Sequence, residues 1–253
     1  MRTQKTTVSH APDAPVRGAL PHVARRRFLA LSALALLLAA PFSTGVHAAE
    51  SVVLAPAPVK APAETGDTAT LVVAGGCFWG VQAVYQHVKG VSSAVSGYAG
   101  GTKETADYSR VSNGDTGHAE AVRITYDPRV VGAGELLRIF FSVVHDPTQK
   151  NRQGPDVGTQ YRSAIFVDDA AQRALATDYV AQLGASKVYP RPIATTIEPL
   201  SAFYPAESYH QDYLVRHPDN MYIVINDKPK VESLKRLFPQ DYRETPQLVG
   251  ARS

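Results

Sequence analysis

The chain has one cysteine, one tryptophan and two methionines in 253 residues. A single cysteine excludes an internal disulfide. Phosphate-cradling glycine loops are missing as well: neither G-x-G-x-x-G nor the P-loop spacing with its lysine occurs. No apolar run reaches the roughly 20 residues that a membrane-spanning helix needs. A basic excess is confined to the start of the chain. Residues 1–48 carry six of the 26 Lys and Arg and one of the 23 Asp and Glu, which leaves 20 against 22 and a formal net charge of −2. The remainder therefore offers no basic patch for nucleic acid or an anionic membrane.

What the N-terminus does contain is an export pattern. Arg25-Arg26-Arg27 precedes an apolar run from Phe28 to Ala40, then the small-residue site Val46-His47-Ala48. Residues 1–48 are expected to be an export signal and the protein to be exported to the periplasm. Arg25 to Leu29 also resembles the twin-arginine motif, so the general and twin-arginine routes both stay open. No cysteine lies near the cleavage site, so neither a lipid anchor nor stable membrane insertion is expected once the signal is removed. Residues 49–68 are rich in Ala and Pro without periodicity, the composition of a disordered or extended tether. A single catalytic domain is expected over 69–240, followed by a tail over 241–253.

Hydrophobic periodicity predicts strands over 70–74, 91–98, 118–126, 162–167 and 193–198. It predicts helices over 78–89, 135–144, 169–183 and 207–215, and a short extended piece over 222–225. Polar, turn-rich loops are expected over 102–117 and 145–160. This order implies an α+β two-layer fold, a mixed sheet with helices on one face.

The lone Cys77 sits in Gly75-Gly76-Cys77-Phe78-Trp79-Gly80, where a strand turns into a helix. Most single cysteines are small buried hydrophobes. Here the positive end of a helix favours a thiolate, and the only tryptophan lies two residues on. A nucleophile fits best, although a helix end alone, at roughly 0.3–2 kcal/mol, leaves the thiol partly protonated and in need of a second group. Glu120 is the candidate. Strand alternation puts it on the apolar face with Val122 and Ile124. Desolvation there would raise its pKa and fit it as a general acid; a strand-end glutamate reaching back to solvent is the equal alternative.

Four stretches together resemble the signature runs of the A-type peptide methionine sulfoxide reductases. They are Gly76-Cys77-Phe78-Trp79-Gly80, Gly114 to Glu120, Gly158 to Ser163, and Phe203 to Glu207 with Tyr209-His210-Gln211. The resemblance spans most of residues 70–225 and implies a ferredoxin-like, split βαβ core. It also implies thiol-dependent reduction of methionine-(S)-sulfoxide, free or in proteins, with no metal or organic cofactor. Cys77 would attack the sulfoxide sulfur and become a sulfenic acid. Glu120 would hand a proton to the oxygen as it leaves as water. Phe78 and Trp79 would hold the S-methyl group, Tyr108 and Tyr161 would hydrogen-bond the oxygen, Asp156 would order the site, and Tyr222 would line the substrate. Many relatives carry a resolving cysteine just after that tyrosine. This chain has Ile223, so an external thiol or a thiol partner protein would have to regenerate Cys77.

Two rival readings stand beside this one. A cysteine hydrolase would pair Cys77 with His118 or His210, and a binder of oxidised methionine would keep the pocket without turnover. Glu207 and His210 have the E-x-x-H spacing of a di-iron half-site, but no second such motif exists. His118, Glu207 and His210 therefore read as structural.

Overall fold

Strand β1 (Ala69–Gly75) is apolar on both sides. Leu71 and Val73 enter one core and Val72 and Ala74 another, as a two-residue side-chain period requires in a central strand. The computed structural model describes residues 52–61 and 63–250; the expected export signal lies outside them. Helix α1 (Phe78–Gln86) leads to β2 (Val91–Ala99). After the four-residue helix α2 (Tyr108–Val111) come β3 (Ala119–Tyr126) and α3 (Ala133–Ile139). A π-turn, Phe140–Val144, extends α3. A two-stranded ribbon, β4 (Arg152–Gln153) and β5 (Asp156–Val157), then precedes β6 (Ser163–Val167) and α4 (Ala170–Ser186). Strands β7 (Thr196–Pro199) and β8 (Phe203–Pro205) and helix α5 (Tyr213–Arg216) follow. A second π-turn, Ile223–Asp227, runs into α6 (Lys228–Leu237).

The main sheet has the order β7-β6-β1-β3-β2-β8. Its pairs are antiparallel except β6 with β7, so the sheet is mixed. β1 and β2, joined through α1, run the same way with β3 set between them. A bulge between Val91 and Ser93 shifts the β2–β3 register, after which Tyr98 stands directly opposite Glu120. The helices α1, α3, α4 and α6 all contribute buried residues to one cluster on one sheet face. Each fully buried Leu or Phe there stabilises the fold by about 1.5–3 kcal/mol. Alanines from β1, β2, β3 and β6 with Phe166 make the thinner opposite core, closed by Leu200 and Phe203. The α+β expectation, with helices on one face, agrees with this arrangement.

Two predicted segments differ in kind from the structure, and one strand was not predicted. The extended piece expected at 222–225 is helical, because only Ile223 is buried while Val224 and Ile225 face solvent; β-branched residues alone imitated a strand. The helix expected over 207–215 is interrupted at Asp212, which takes a left-handed conformation (φ 57°). There its N–H donates to Gln82 Oε1 at 2.9 Å and its Oδ1 accepts from Gln86 Nε2 at 2.7 Å and the Val249 N–H at 3.0 Å. Those bonds replace the helical ones. Strand β8 has no apolar run to announce it.

Residues 52–61, 63 and 64, part of the tether expected over 49–68, form no helix or strand but are docked. The Ala55 N–H donates to Ser142 Oγ at 2.9 Å and its carbonyl accepts from Arg138 Nε at 3.0 Å. The Pro56 carbonyl accepts from Tyr179 OH at 2.8 Å. Glu64 accepts from Tyr126 OH at 2.5 Å and from the Ala133 N–H, at the start of α3, at 2.7 Å. Ala55 is wholly buried. Residues 241–250 are docked as well: Tyr242 stacks on His87, and the Arg243 and Gln247 N–H groups donate to the carbonyls of His87 and Gln86.

Candidate active site

The turn from β1 into α1 is built on Gly76, at φ 90°. A Cβ there would lie 2.7 Å from the Gln153 side chain, so only glycine fits both the angle and the space. The next residue, Cys77, occupies the N-cap position of α1 with φ −54° and ψ 124°. It is the sole free thiol and is 8% exposed.

Cys77, Phe78, Trp79, Tyr108, Glu120, Asp156, Tyr161 and Tyr222 line one cavity of about 190 Å³. All eight residues singled out from the sequence thus meet in one place, drawn from α1, α2, β3, β5, the turn Thr159–Tyr161 and the residue before the second π-turn. The cavity has room for the end of one side chain rather than a large ligand.

Glu120 is 2% exposed on the core face of β3, so of the two placements the sequence left equal, it takes the buried one. The Phe78 N–H donates to its Oε2 at 3.0 Å. Burial pushes its pKa up to about 8, against the lowering effect of that bond; Asp156 and Asp227 add to the rise. The carboxyl therefore keeps its proton at neutral pH.

Burial also raises the Cys77 thiol well above its ordinary range. Glu120 and Asp227 push the same way, and the Trp79 N–H opposes them. The thiolate expected from the helix end is therefore outweighed, and the resting group is a thiol.

Aromatic packing fixes the apolar wall. Trp79 stacks on Tyr213 with centroids 3.7 Å apart and planes 4° apart. Its Nε1–H donates to His210 Nδ1 at 3.2 Å, and the Tyr222 ring meets it edge-on. Phe78 is buried beside Tyr98 and His210. Tyr108 is held by its N–H, which donates to Glu207 Oε1 at 3.0 Å, while Tyr98 OH donates to Glu207 Oε2 at 2.8 Å. Tyr222 OH donates to Asp156 Oδ2. Burial raises Asp156, although the Tyr222 bond and Lys230 hold it back. The hydroxyls of Tyr108 and Tyr161 are raised chiefly by burial and stay protonated donors.

The two histidines are committed elsewhere. His118 Nδ1 accepts from the Gly101 N–H at 3.2 Å and Nε2 donates to the Thr102 carbonyl at 2.9 Å. His210 serves the Trp79 indole. Among the described residues no group of three His, Cys, Asp or Glu is placed to hold a metal. Tyr213 and Asp227 escaped the sequence reading. Tyr213 was visible only as one of twelve tyrosines, and Asp227 falls where the sequence reading predicts no element.

The family of peptide methionine sulfoxide reductases matches residues 69–242. Among curated relatives, the peptide methionine sulfoxide reductase MsrA 2 of Mesorhizobium japonicum is 60% identical over 71% of this chain and 92% of its own. The MsrA of Deinococcus radiodurans is 48% identical over 68% of this chain and 83% of its own. Among solved structures, reduced Mxr1 of Saccharomyces cerevisiae has a TM-score of 0.55 at 36% identity, covering 64% of this chain and 92% of that one. Methionine sulfoxide reductase A of Corynebacterium diphtheriae has a TM-score of 0.52 at 34% identity, covering 62% and 78%. With its thiol, buried acid and aromatic wall gathered in one cavity, and with these relatives matching over the same residues, the chain belongs to the A-type peptide methionine sulfoxide reductases, oxidoreductases that reduce methionine sulfoxide.

Proposed function

We propose that the chain reduces methionine-(S)-sulfoxide, free or in proteins, through a sulfenic acid on Cys77, and that it repairs exported proteins. The carrying observation is the single cavity in which Cys77 and a protonated Glu120 are joined through the Phe78 N–H. Sulfoxide oxygen is a poor leaving group until protonated, and protonation makes the sulfur electrophilic. Glu120 supplies that proton, and the hydroxyls of Tyr108 and Tyr161 donate hydrogen bonds to the same oxygen. Phe78 and Trp79 receive the S-methyl group; Asp156 and Tyr222, bonded to each other, close the remaining side.

The net step is balanced: thiol plus sulfoxide gives sulfenic acid plus thioether, two electrons passing from the Cys77 sulfur. One external thiol then forms a mixed disulfide with loss of water, and a second releases Cys77 as thiol. Export to a periplasm rests on the sequence of residues 25–48. The strand order β6-β1-β3-β2, with β3 between the two strands joined by α1, supports the ferredoxin-like reading of the core. A cysteine hydrolase is disfavoured because Nδ1 of both His118 and His210 already accepts an N–H, which puts the proton on Nε2 and leaves neither ring a free lone pair to act as a base.

The deciding assay is dithiothreitol-dependent reduction of resolved sulfoxide epimers. Turnover of the S epimer alone is expected; inactivity toward both would overturn the proposal and favour a binding protein.

A further inference from the structure

Asp227 is a carboxylate with no evident employment. It closes the second π-turn where that runs into α6, and its side chain makes no capping bond. It is fully buried, and neither oxygen has a hydrogen-bond partner among the described residues. Its one partner is Lys230, whose Nζ lies 3.5 Å from Oδ1. A buried charge so poorly compensated is costly and calls for an explanation.

Its surroundings suggest one. A Cβ built on Gly80 would lie 2.2 Å from Asp227 Oδ1, so the carboxylate presses against the first turn of α1, three residues past Cys77. The last glycine of the Cys77 motif is the space it occupies. A carboxylate there draws on the same positive helix end that would otherwise favour a thiolate.

We propose that Asp227 is a positioning residue acting through Cys77: pressed against Gly80 and paired with Lys230, its charge opposes ionisation of the thiol when no sulfoxide is bound. The chemistry supplies a reason. A peroxide converts a thiolate to sulfenic acid with release of hydroxide, and a second peroxide takes that to sulfinic acid, which is irreversible here. With no other cysteine in the chain, no internal thiol can intercept the first product.

The other groups facing Cys77 are Glu120 from β3, Asp156 from β5, and the hydroxyls of Tyr108, Tyr161 and Tyr222; Lys230 from α6 faces Asp227. Glu120 holds its proton to about pH 8. Asp156 is bonded to Tyr222 and offset by Lys230, and ranks below Asp227 in its effect on the thiol. Asp227 itself is raised by burial only to about 6, so it is the principal fixed anion near Cys77 between those values.

The test is the rate of iodoacetamide alkylation of the full chain from about pH 5 to 9. As Asp227 ionises, the thiol becomes harder to ionise, so log rate should flatten near pH 6 before rising again. A second flattening near pH 8 belongs to Glu120. Asp227→Asn should lose the first, keep the second, and react about tenfold faster at neutral pH, the change one pKa unit brings. It should also reach sulfinic acid sooner under hydrogen peroxide, read by mass spectrometry. An unaltered profile in D227N overturns the proposal. If D227N fails to fold, an unbroken rise through pH 6 in the parent overturns it instead. The proposal rests on the reductase reading only in taking Cys77 as the reacting group. Alkylation needs no sulfoxide, so an enzyme inert toward both epimers defeats that reading and leaves Asp227 to be judged separately.

Discussion

The Phe78 N–H and Glu120 Oε2, 3.0 Å apart, tie the acid of the site to the helix that carries the thiol. One of the unpaired N–H groups at the start of α1 is satisfied by a side chain from the neighbouring strand. That bond limits how far burial can raise the carboxyl, leaving it at about 8. Without it the group would be a weaker acid, less willing to release its proton to a sulfoxide.

Glu120→Gln should keep substrate binding but slow sulfenic acid formation by roughly 10²–10⁴-fold. The pH dependence follows from the raised pKa. The acid is present below about pH 8 and is lost as pH rises through that value, so single-turnover rates should fall on the alkaline side. A rate equal to the parent's at every pH would remove Glu120 from the proton-transfer step.

Cys77→Ser should abolish reduction with little change in melting temperature. A hydroxyl nearly matches the thiol in size but is far less nucleophilic. Activity above trace levels would contradict the assignment of Cys77.

Much of this site was legible because its chemistry lies in contiguous runs. Cys77, Phe78 and Trp79 are sequence neighbours, whereas the alternation around Glu120 left a buried and a solvent-reaching placement equal until its burial decided between them. Strands β1 and β6 were legible for the same reason, as near-continuous apolar runs. Asp227 was not, because its meaning depends on a close approach to Gly80 that no local pattern records. Nor was the place of Ala55, Pro56 and Glu64, whose backbone groups or carboxylate bond to side chains over 60 residues away. Helix α6 is polar over most of its surface, and the β-branched run before it imitated a strand.

Trp79→Ala and Tyr213→Ala should both raise KM more than they lower kcat. Loss of the methyl contact is worth about 0.3–1.5 kcal/mol, and loss of the stacked pair about 0.5–1.5 kcal/mol. Each corresponds to a rise of up to about tenfold. Steady-state kinetics with methionine sulfoxide and dimethyl sulfoxide would check this; parental KM values for both substrates would refute an aromatic wall.

Recycling can be followed directly. One equivalent of sulfoxide should add a single oxygen to the protein, trappable by a sulfenate-selective nucleophile and with no disulfide formed. Small dithiols should then support steady turnover. Thioredoxin should do so slowly, because the oxidised enzyme presents it with no disulfide. Rapid thioredoxin-dependent turnover without any other thiol would contradict this scheme.

Glu64→Ala should destabilise the fold without touching the chemistry. It leaves the Tyr126 hydroxyl and the Ala133 N–H without their partner, a loss of about 1–3 kcal/mol. In a domain of this size each kcal/mol lowers the melting temperature by about 2–4 °C. Thermal unfolding with a parallel activity assay would measure both; an unchanged melting temperature would mean that the Glu64 bonds add nothing to stability.

The bulge between Val91 and Ser93 has a consequence for how such an enzyme can change over time. It sets the register in which Tyr98 faces Glu120, and side chains on a strand alternate between two very different layers. Adding or deleting one residue within β3 would carry Glu120 into the thin alanine layer and leave the cavity without its acid. Length changes are therefore tolerable in the loops that join the strands, while the strands themselves can vary only by substitution. The spacing of residues along β3 is under the same constraint as the identity of Glu120.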